Sequence, residues 1–582
     1  MTQNFLELYS HLSSHFPQQL PETILQLDAI TPMGPHFLSF NGFYPPLKLL
    51  ASEEQFPKWE KLVLEGRIIG AYAQTEIGHG SDVQSLQTVA TYNKEKKCFV
   101  MNSPEIKATK FWVGVLGMHA THAILQAKTF IEGKNYGLQT FIVPIRDPKT
   151  YRLYPGIDCG DIGAKLGLGI MDNGYLRMKD YEIPRENLLM KFIKVEEDGK
   201  VTITGDKNAV KIGYGGMLGL RVWLSGHFLR EGFKSLAIKF RALKKQEGEI
   251  GACEKRKLLK EFAYIYSGIL TVDRTTKMHK ILLGNIKTDL KAALEELDEL
   301  HLIAAGFKPV FSWGVVRQTR NFTMQQALGN LLGAGTVVSY GDKVPGVTYE
   351  GDNLVLLQQV ARGLCKFMQQ AEKGKAEKIP PSFRFIGELY NKDKEELRDL
   401  EDLERIERVL ERIGYEDVRG NYERMKEMMK KGGSENKVWN ERLQTAMIKM
   451  GLRVSQVLTF QMAKKEILSE EVMRKLQGKD IEILKDMVRV YGLELLLQNN
   501  DIASLYGISF SGEMAQKAEE NIMRRLEKEL EYIGESIPFI EEELVYVRDY
   551  KDWKVKGEDL MEKSLKDFAE KMQKNISEMS KL

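Results

Sequence analysis

Two short segments carry residues whose types and spacing could do chemistry. The first is Val347-Thr-Tyr-Glu-Gly-Asp-Asn353, which sets Glu350 and Gly351 just ahead of the apolar run LVLLQQVARGL. A carboxylate there can serve as a charge at a helix N-terminus, where aligned backbone dipoles favour it. Gly351 leaves space for a substrate to come close to the backbone. The second is Ala71-Tyr-Ala-Gln-Thr-Glu-Ile-Gly-His-Gly-Ser-Asp82, a cluster of small, hydroxyl and glycine residues between a helix and a strand. Such a loop is a turn, or a turn that brings backbone N–H groups and the Thr75 hydroxyl to a planar polar ligand. Neither glycine-rich stretch, Gly213–Gly219 or Gly329–Gly335, spells G-x-G-x-x-G, and no P-loop, HExxH or GxSxG is present. His11 and His15 share a helix spacing without an acidic third ligand, and His119 and His122 fall on opposite faces of an expected strand. The four cysteines, Cys98, Cys159, Cys253 and Cys365, form no CxxC pair. No metal site is expected, and the thiols suit a reducing compartment.

The elements that must position these segments change along the chain. Residues 1–70 mix helical patterns with Pro-rich breaks at Pro17, Pro21, Pro32, Pro35, Pro45 and Pro46. From 71 to about 190, short β-rich runs (KCFVMNS, HATHAILQAKTF, YGLQTFIVPI, GYLRMKDYEIP) alternate with turn clusters, which predicts a barrel or sandwich. Beyond 200, Leu218–Phe240, Arg256–Met278, Leu283–Ala305 and Trp313–Leu332 read as four helices of a bundle. A second helical region contains Asp393–Lys431, Trp439–Gln461 and Glu482–Leu497, after a boundary near Pro380-Pro381. The expected domains are therefore 1–70 (short, helical), 71–195 (β), 196–375 (bundle) and 376–582 (C-terminal, helical).

The chain has 582 residues, 43% of them hydrophobic, and a net charge of +3. That composition builds several cores and gives no reason to expect nucleic acid as a partner. The uncharged stretch Asn321–Gly341 holds Asn, Gln and Gly residues, so a buried helix and loop is expected rather than a membrane span. No secretory signal is seen at the N-terminus. Ser580-Lys581-Leu582 reads as a receptor-recognised peroxisomal address, with the import receptor as partner.

Together these segments resemble the acyl-CoA oxidase family, a branch of the acyl-CoA dehydrogenase fold. The resemblance rests on AQTEIGHGS (73–81), NSPEIKATKFWVGVLG (102–117), YGLQTFIVPIRD (136–147), PGIDCGDIGAKLGLGIMDNGYLRM (155–178), IPRENLLMKF (183–192) and TYEGDNLVLLQQVAR (348–362). It implies a mainly α protein with a central β-barrel domain, in the order α, β-barrel, α-bundle, second C-terminal α-domain. It also implies FAD held without a dinucleotide fingerprint, a homodimer, a fatty acyl-CoA substrate, and O2 as electron acceptor in the peroxisome. Thr75 and Gly114 would meet the flavin, and Trp112 would line its pocket. Glu350 would be the base that takes the α-proton of the thioester, since a carboxylate in a water-poor site is more basic than in water.

The match has departures. Fewer residues precede AQTE than in the family. The family's Cys-Gly-Gly loop is replaced by Ala327-Leu-Gly-Asn-Leu-Leu-Gly-Ala-Gly335, and an Arg at the FAD pyrophosphate by Lys244 in RALKKQ. Lys keeps the charge but lacks the bidentate fork. Two other readings stand beside the oxidase: a dehydrogenase with a protein electron acceptor, and a non-catalytic peroxisomal subunit that binds acyl-CoA or pairs with an active oxidase.

Overall fold

The alternation in HATHAILQAKTF builds the spine of the β-region. In the computed structural model, which describes residues 38–169, 171–204, 209–247, 250–325, 340–390, 392, 400–476, 478–508 and 511–535, eleven strands lie between residues 70 and 203. They are β1 (Gly70–Ala73), β2 (Val89–Asn93), β3 (Cys98–Asn102), β4 (Lys110–Val113), β5 (His122–Ile131), β6 (Lys134–Pro144), β7 (Ile157–Asp161), β8 (Gly174–Met178), β9 (Tyr181–Pro184), β10 (Ile193–Val195) and β11 (Val201–Ile203). One edge of β5 pairs with β6; the other takes β1 along His122–Leu125 and β2 along Lys128–Phe130. β3 and β9 extend that sheet, and β4, β8 and β7 form a second one. Glu132 (φ 49°) and Gly133 (φ 77°) make the β5–β6 turn, two left-handed residues as a tight hairpin requires. The sheets curl into a half-barrel. Ala123, Leu125 and Ala127 of β5 point into its core with Phe99 and Phe141, whose rings meet edge-on at 5.0 Å.

The opposite face of β5 is covered by α1 (Tyr44–Leu50) and α2 (Phe56–Leu64): Ile124 and Ile142 pack with Phe43, Leu47 and Val63. Here the structure corrects one expectation. Pro45 and Pro46 do not break a helix but begin one, in the first turn, where a missing N–H costs nothing.

After β11 come α3 (Ala209–Glu247), α4 (Ala252–Thr288), α5 (Leu290–Gln325) and α6 (Asn353–Glu372). The expected helices Leu283–Ala305 and Trp313–Leu332 are not divided where expected: Leu283–Thr288 close α4, the break falls at Asp289, and α5 runs from Leu290 through Pro309 to Gln325, with 326–332 outside the described residues. Asp289 closes α4 by donating its N–H to Asn285 O (2.8 Å). It opens α5 by accepting from Lys291 N and Ala292 N with its Oδ1, both at 3.1 Å. An apolar stripe shows where a helix is buried, but one polar cap residue decides where it stops.

The later helices α7 (Leu403–Lys430), α8 (Gln444–Ile467), α9 (Lys479–Gln498), α10 (Gly512–Glu527) and α11 (Leu530–Glu535) share one continuous core with α3–α6. No helix among the described residues is long and apolar enough to cross a membrane. His11, His15, the Ala327–Gly335 loop and the Ser580-Lys581-Leu582 tail lie outside the described residues.

Candidate active site

The loop after β1 is held by Glu76. Its carboxylate meets the Lys110 ammonium at 3.1 Å, with both side chains at 0% exposure. Glu76 also accepts from Thr88 N (2.8 Å), the Thr88 hydroxyl (2.5 Å) and Gln87 N (2.7 Å). Lys110 donates further to the carbonyls of Gln74 and Gln126, each at 2.9 Å. Burial works to raise the Glu76 carboxyl, yet Lys110 and these donors hold it below its ordinary value. Burial pushes Lys110 down to about 8 against the pull of Glu76. Thr75, next in sequence and half-buried, is thereby fixed against β4, and its carbonyl accepts from Phe111 N at 3.0 Å.

β4 is irregular where it matters. Its register with β8 shifts between Lys110 and Val113. Trp112 takes a left-handed φ of 66° and remains 53% exposed. An L-residue there carries strain of order 1–3 kcal/mol, which the surroundings must hold in place. Asn173 contributes: its Nδ2 donates to Trp112 O at 2.9 Å, while its buried Oδ1 has no partner. A Cβ at Gly114 would stand 2.3 Å from Leu38 Cδ1 and 3.2 Å from Met171 Sδ, so a larger residue would displace those two side-chain ends.

His119 lies not in a strand but in the loop ahead of β5, where Asp172 Oδ2 holds its Nδ1 at 3.1 Å. His122 is buried on β5, edge-on to Trp59 at 5.7 Å, and burial pushes it down to about 4. Among the described residues no His, Cys, Asp and Glu cluster could hold a metal.

Glu350 sits on the turn between a short 3₁₀ segment, Val344–Val347, and α6. The expected helix charge is supplied by Asp352 instead, whose Oδ1 accepts from Leu354 N (2.9 Å) and Val355 N (3.3 Å). Glu350 has φ 56° and Gly351 φ 103°. What demands glycine at 351 is this backbone and Leu356, 2.9 Å from where a Cβ would stand; the structure does not keep that side open for a substrate. The carbonyl of Glu350 accepts from Arg221 Nε (2.9 Å) and that of Gly351 from Lys308 Nζ (2.6 Å). The carboxylate is different: its Oε2 is sealed from solvent with no hydrogen-bond partner. Burial raises the Glu350 carboxyl, with Arg221 and Lys308 pulling the other way. Burial likewise pushes Lys308 down to about 7.

Contacts bring the two halves of the site together. Tyr349, stacked on Phe228 at 6.4 Å, packs with Leu220 and Trp223 against both the bundle core and the half-barrel core. Leu168 N donates to Asp342 Oδ1 at 2.6 Å, and Gly167 abuts the Gly341 carbonyl. The loop that supplies Met171 to Gly114 and Asn173 to Trp112 therefore also holds the segment leading to Glu350. Thr75, Trp112 and Gly114 lie in the half-barrel, and Glu350 and Gly351 follow Tyr349, which packs against that half-barrel's core. Lys244 does not join them. It lies on α3 with Arg221, and at ~1.5 Å of rise per residue the two are about 35 Å apart. Its ammonium is held by Glu531 at 2.8 Å and Glu535 at 2.9 Å. Reading the sequence did not single out Arg221, Lys308, Asp342 or Asn173. The one available signal was a lysine inside the apolar run IAAGFKPVF, a charge that burial forces to find partners.

A curled β-layer against a helical bundle, with a buried carboxylate at their junction, defines an acyl-CoA dehydrogenase-like protein. Residues 71–181 match the acyl-CoA dehydrogenase middle domain and residues 214–365 the acyl-CoA oxidase C-alpha1 domain. The chain is 34% identical over 404 residues to acyl-coenzyme A oxidase acox-1.1 of Caenorhabditis elegans, covering 66% of this chain and 58% of that protein. It is 34% identical over 374 residues to peroxisomal acyl-coenzyme A oxidase 1 of Mus musculus, covering 61% and 55%. It thus spans under two thirds of the length of these curated relatives. Among solved structures, acyl-CoA oxidase-2 of Caenorhabditis elegans bound with FAD, ascaroside-CoA and ATP superposes with a TM-score of 0.83 at 26% identity, covering 98% of this chain and 89% of that one. Acyl-CoA oxidase 1 of Arabidopsis thaliana shares the fold at a TM-score of 0.81 and 24% identity, covering 94% and 84%. The chain thus carries matches to an acyl-CoA dehydrogenase middle domain and an acyl-CoA oxidase C-alpha1 domain, and it is similar in sequence and fold to acyl-CoA oxidases.

Proposed function

We propose that this chain is an FAD-dependent acyl-CoA oxidase that converts a fatty acyl-CoA to the trans-2-enoyl-CoA and passes the electrons to O2, forming H2O2. The observation that carries the reading is Glu350: a carboxylate oxygen sealed from water, without a partner, at the junction of half-barrel and bundle. An unpartnered buried acceptor is destabilising, and at Glu350 it stands on a turn whose neighbouring carbonyls are held by Arg221 and Lys308.

The residues present fit a flavin. Trp112 offers an exposed indole face, Thr75 lies beside it on a pinned loop, and Asn173 Oδ1 is buried without a partner. Thr75, Trp112 and the Gly114 backbone would hold the ring; Lys244, committed to Glu531 and Glu535, is left out of this reading. When bound, the flavin supplies the acceptor for the β-hydrogen as hydride. Glu350 takes the α-proton on Oε2, and its raised basicity in a dry site suits that weakly acidic C–H. Arg221 and Lys308 fix the turn, so that the base does not have to be reoriented when substrate binds.

The test is Glu350→Gln. The variant should retain flavin and lose flavin reduction by acyl-CoA; turnover at the wild-type rate sinks the assignment. Peroxide release under air separates the oxidase from a dehydrogenase with a protein acceptor. A second reading is favoured by Lys244 alone: a partner subunit that keeps the fold but does not hold flavin. A protein that stays colourless in added FAD would establish it. The proposal includes a homodimer, checked by light scattering, and a peroxisomal site with import by the SKL receptor, checked by imaging a tagged chain. The peroxisomal site is supported by the names of relatives such as the mouse oxidase.

A further inference from the structure

We propose that Lys308 is a positioning residue for Glu350, holding the turn through the Gly351 carbonyl and placing its ammonium behind the carboxylate without capping it. The inference rests on the base assignment above and deepens it.

Lys308 is fully buried in the middle of α5, one residue before Pro309. A buried ammonium costs several kcal/mol unless it is well partnered, so its presence there requires a function for the charge. Its bond goes to the Gly351 carbonyl at 2.6 Å, not to a carboxylate. Arg221 on α3 does the same for the neighbouring carbonyl, that of Glu350, at 2.9 Å. Two consecutive carbonyls are thus held from two helices, across a turn in which Glu350 takes a left-handed φ that costs an L-residue free energy. The charged and titratable groups around Glu350 are Arg221 from α3, Lys308 from α5, Asp352 at the start of α6, and Tyr349 and Asp342 within the turn segment. His301 of α5 faces Arg221. Both cations act on Glu350 through space while leaving Oε2 without a partner. That arrangement favours the ionised carboxylate against the pull of burial and leaves the Oε2 lone pair for a proton. An ordinary salt bridge would occupy that lone pair.

The experiment uses the full-length, flavin-loaded chain and measures anaerobic flavin reduction by an acyl-CoA across pH, with thermal unfolding alongside. Glu350 is active when ionised, so removing positive charge raises its pKa and moves the acid limb to higher pH. Lys308→Met should slow reduction roughly ten- to a hundredfold, the scale of a small misplacement of a reacting group, and shift the limb upward. Lys308→Gln keeps a donor for the Gly351 carbonyl but not the charge. It should recover much of the rate while the limb stays shifted, and it carries the test if the Met variant does not fold. Lys308→Arg should restore the limb. A limb that stays in place in the Gln variant overturns the proposal, even if unfolding temperature falls. If wild type itself reduces no flavin at any pH, the base assignment has failed and this inference falls with it.

Discussion

Two carboxylate–lysine arrangements lie on either side of the same junction, and they are built to opposite ends. At Glu76 every charge is matched: one ammonium, one hydroxyl and two backbone N–H groups converge on one carboxylate. The carboxyl is held below its ordinary value. At Glu350 two cations stand close by and hold the turn through main-chain carbonyls, Arg221 Nε at Glu350 O and Lys308 Nζ at Gly351 O, and the carboxyl is held above its ordinary value. Saturating a buried charge makes it an anchor. Withholding partners from one raises its proton affinity, as the proposed base requires, at a cost in stability that the fold must cover elsewhere.

Breaking either member tests that contrast. The largest effect should come from Glu350→Gln, which removes the base while leaving shape intact: roughly 10²–10⁴-fold in flavin reduction, the usual share of a general base. Stopped-flow absorbance reads it, and the fold should be unharmed or slightly firmer. Lys110→Met should do the reverse. It leaves Glu76 buried and unpaired, and about 3–5 kcal/mol of unfolding free energy should disappear in a urea titration. Weaker flavin binding should follow, because Thr75 then loses its anchor.

Acid separates the two sites by order of titration. Glu350, raised by burial, protonates first as pH falls, so activity is lost on the acid side above the range of an exposed glutamate. Glu76 is depressed in the folded state; its contribution is present above its unfolded value and is lost only as pH falls through the lower folded one. Activity should therefore decline at pH values where near-UV circular dichroism still reports a native fold. Simultaneous loss of both would refute the contrast. A smaller effect is expected from Trp112→Ala, which removes an exposed face at the cofactor side. FAD affinity should fall about tenfold, as judged by flavin fluorescence, with little change in unfolding temperature. Lys244→Ala should change least of all, leaving FAD affinity as in wild type; a clear drop would return Lys244 to the cofactor.

The outline of the molecule was legible in its sequence because periodicity records burial. The runs KCFVMNS and HATHAILQAKTF fell on β3 and β5, and Leu218–Phe240 lay within α3. Element ends were not, since Asp289 and the Pro45-Pro46 start act through single caps and first-turn geometry. Thr75, Trp112 and Glu350 were singled out from motifs. The placement of Lys244 and the local use of Gly351 were not. A motif states which residue types are present but not which neighbours reach them.

The order of strands and helices, the apolar faces that pack, and the presence of a glutamate beside a glycine were already determined by the amino-acid string, through side-chain periodicity and backbone preference. Tertiary structure alone decided which carboxylate is satisfied and which is left bare. Hydrogen-bond partners come from distant segments, 129 residues apart for Arg221 and Glu350 and 43 for Lys308 and Gly351, so the setting of Glu350 is made by the packing of α3 and α5 around its turn.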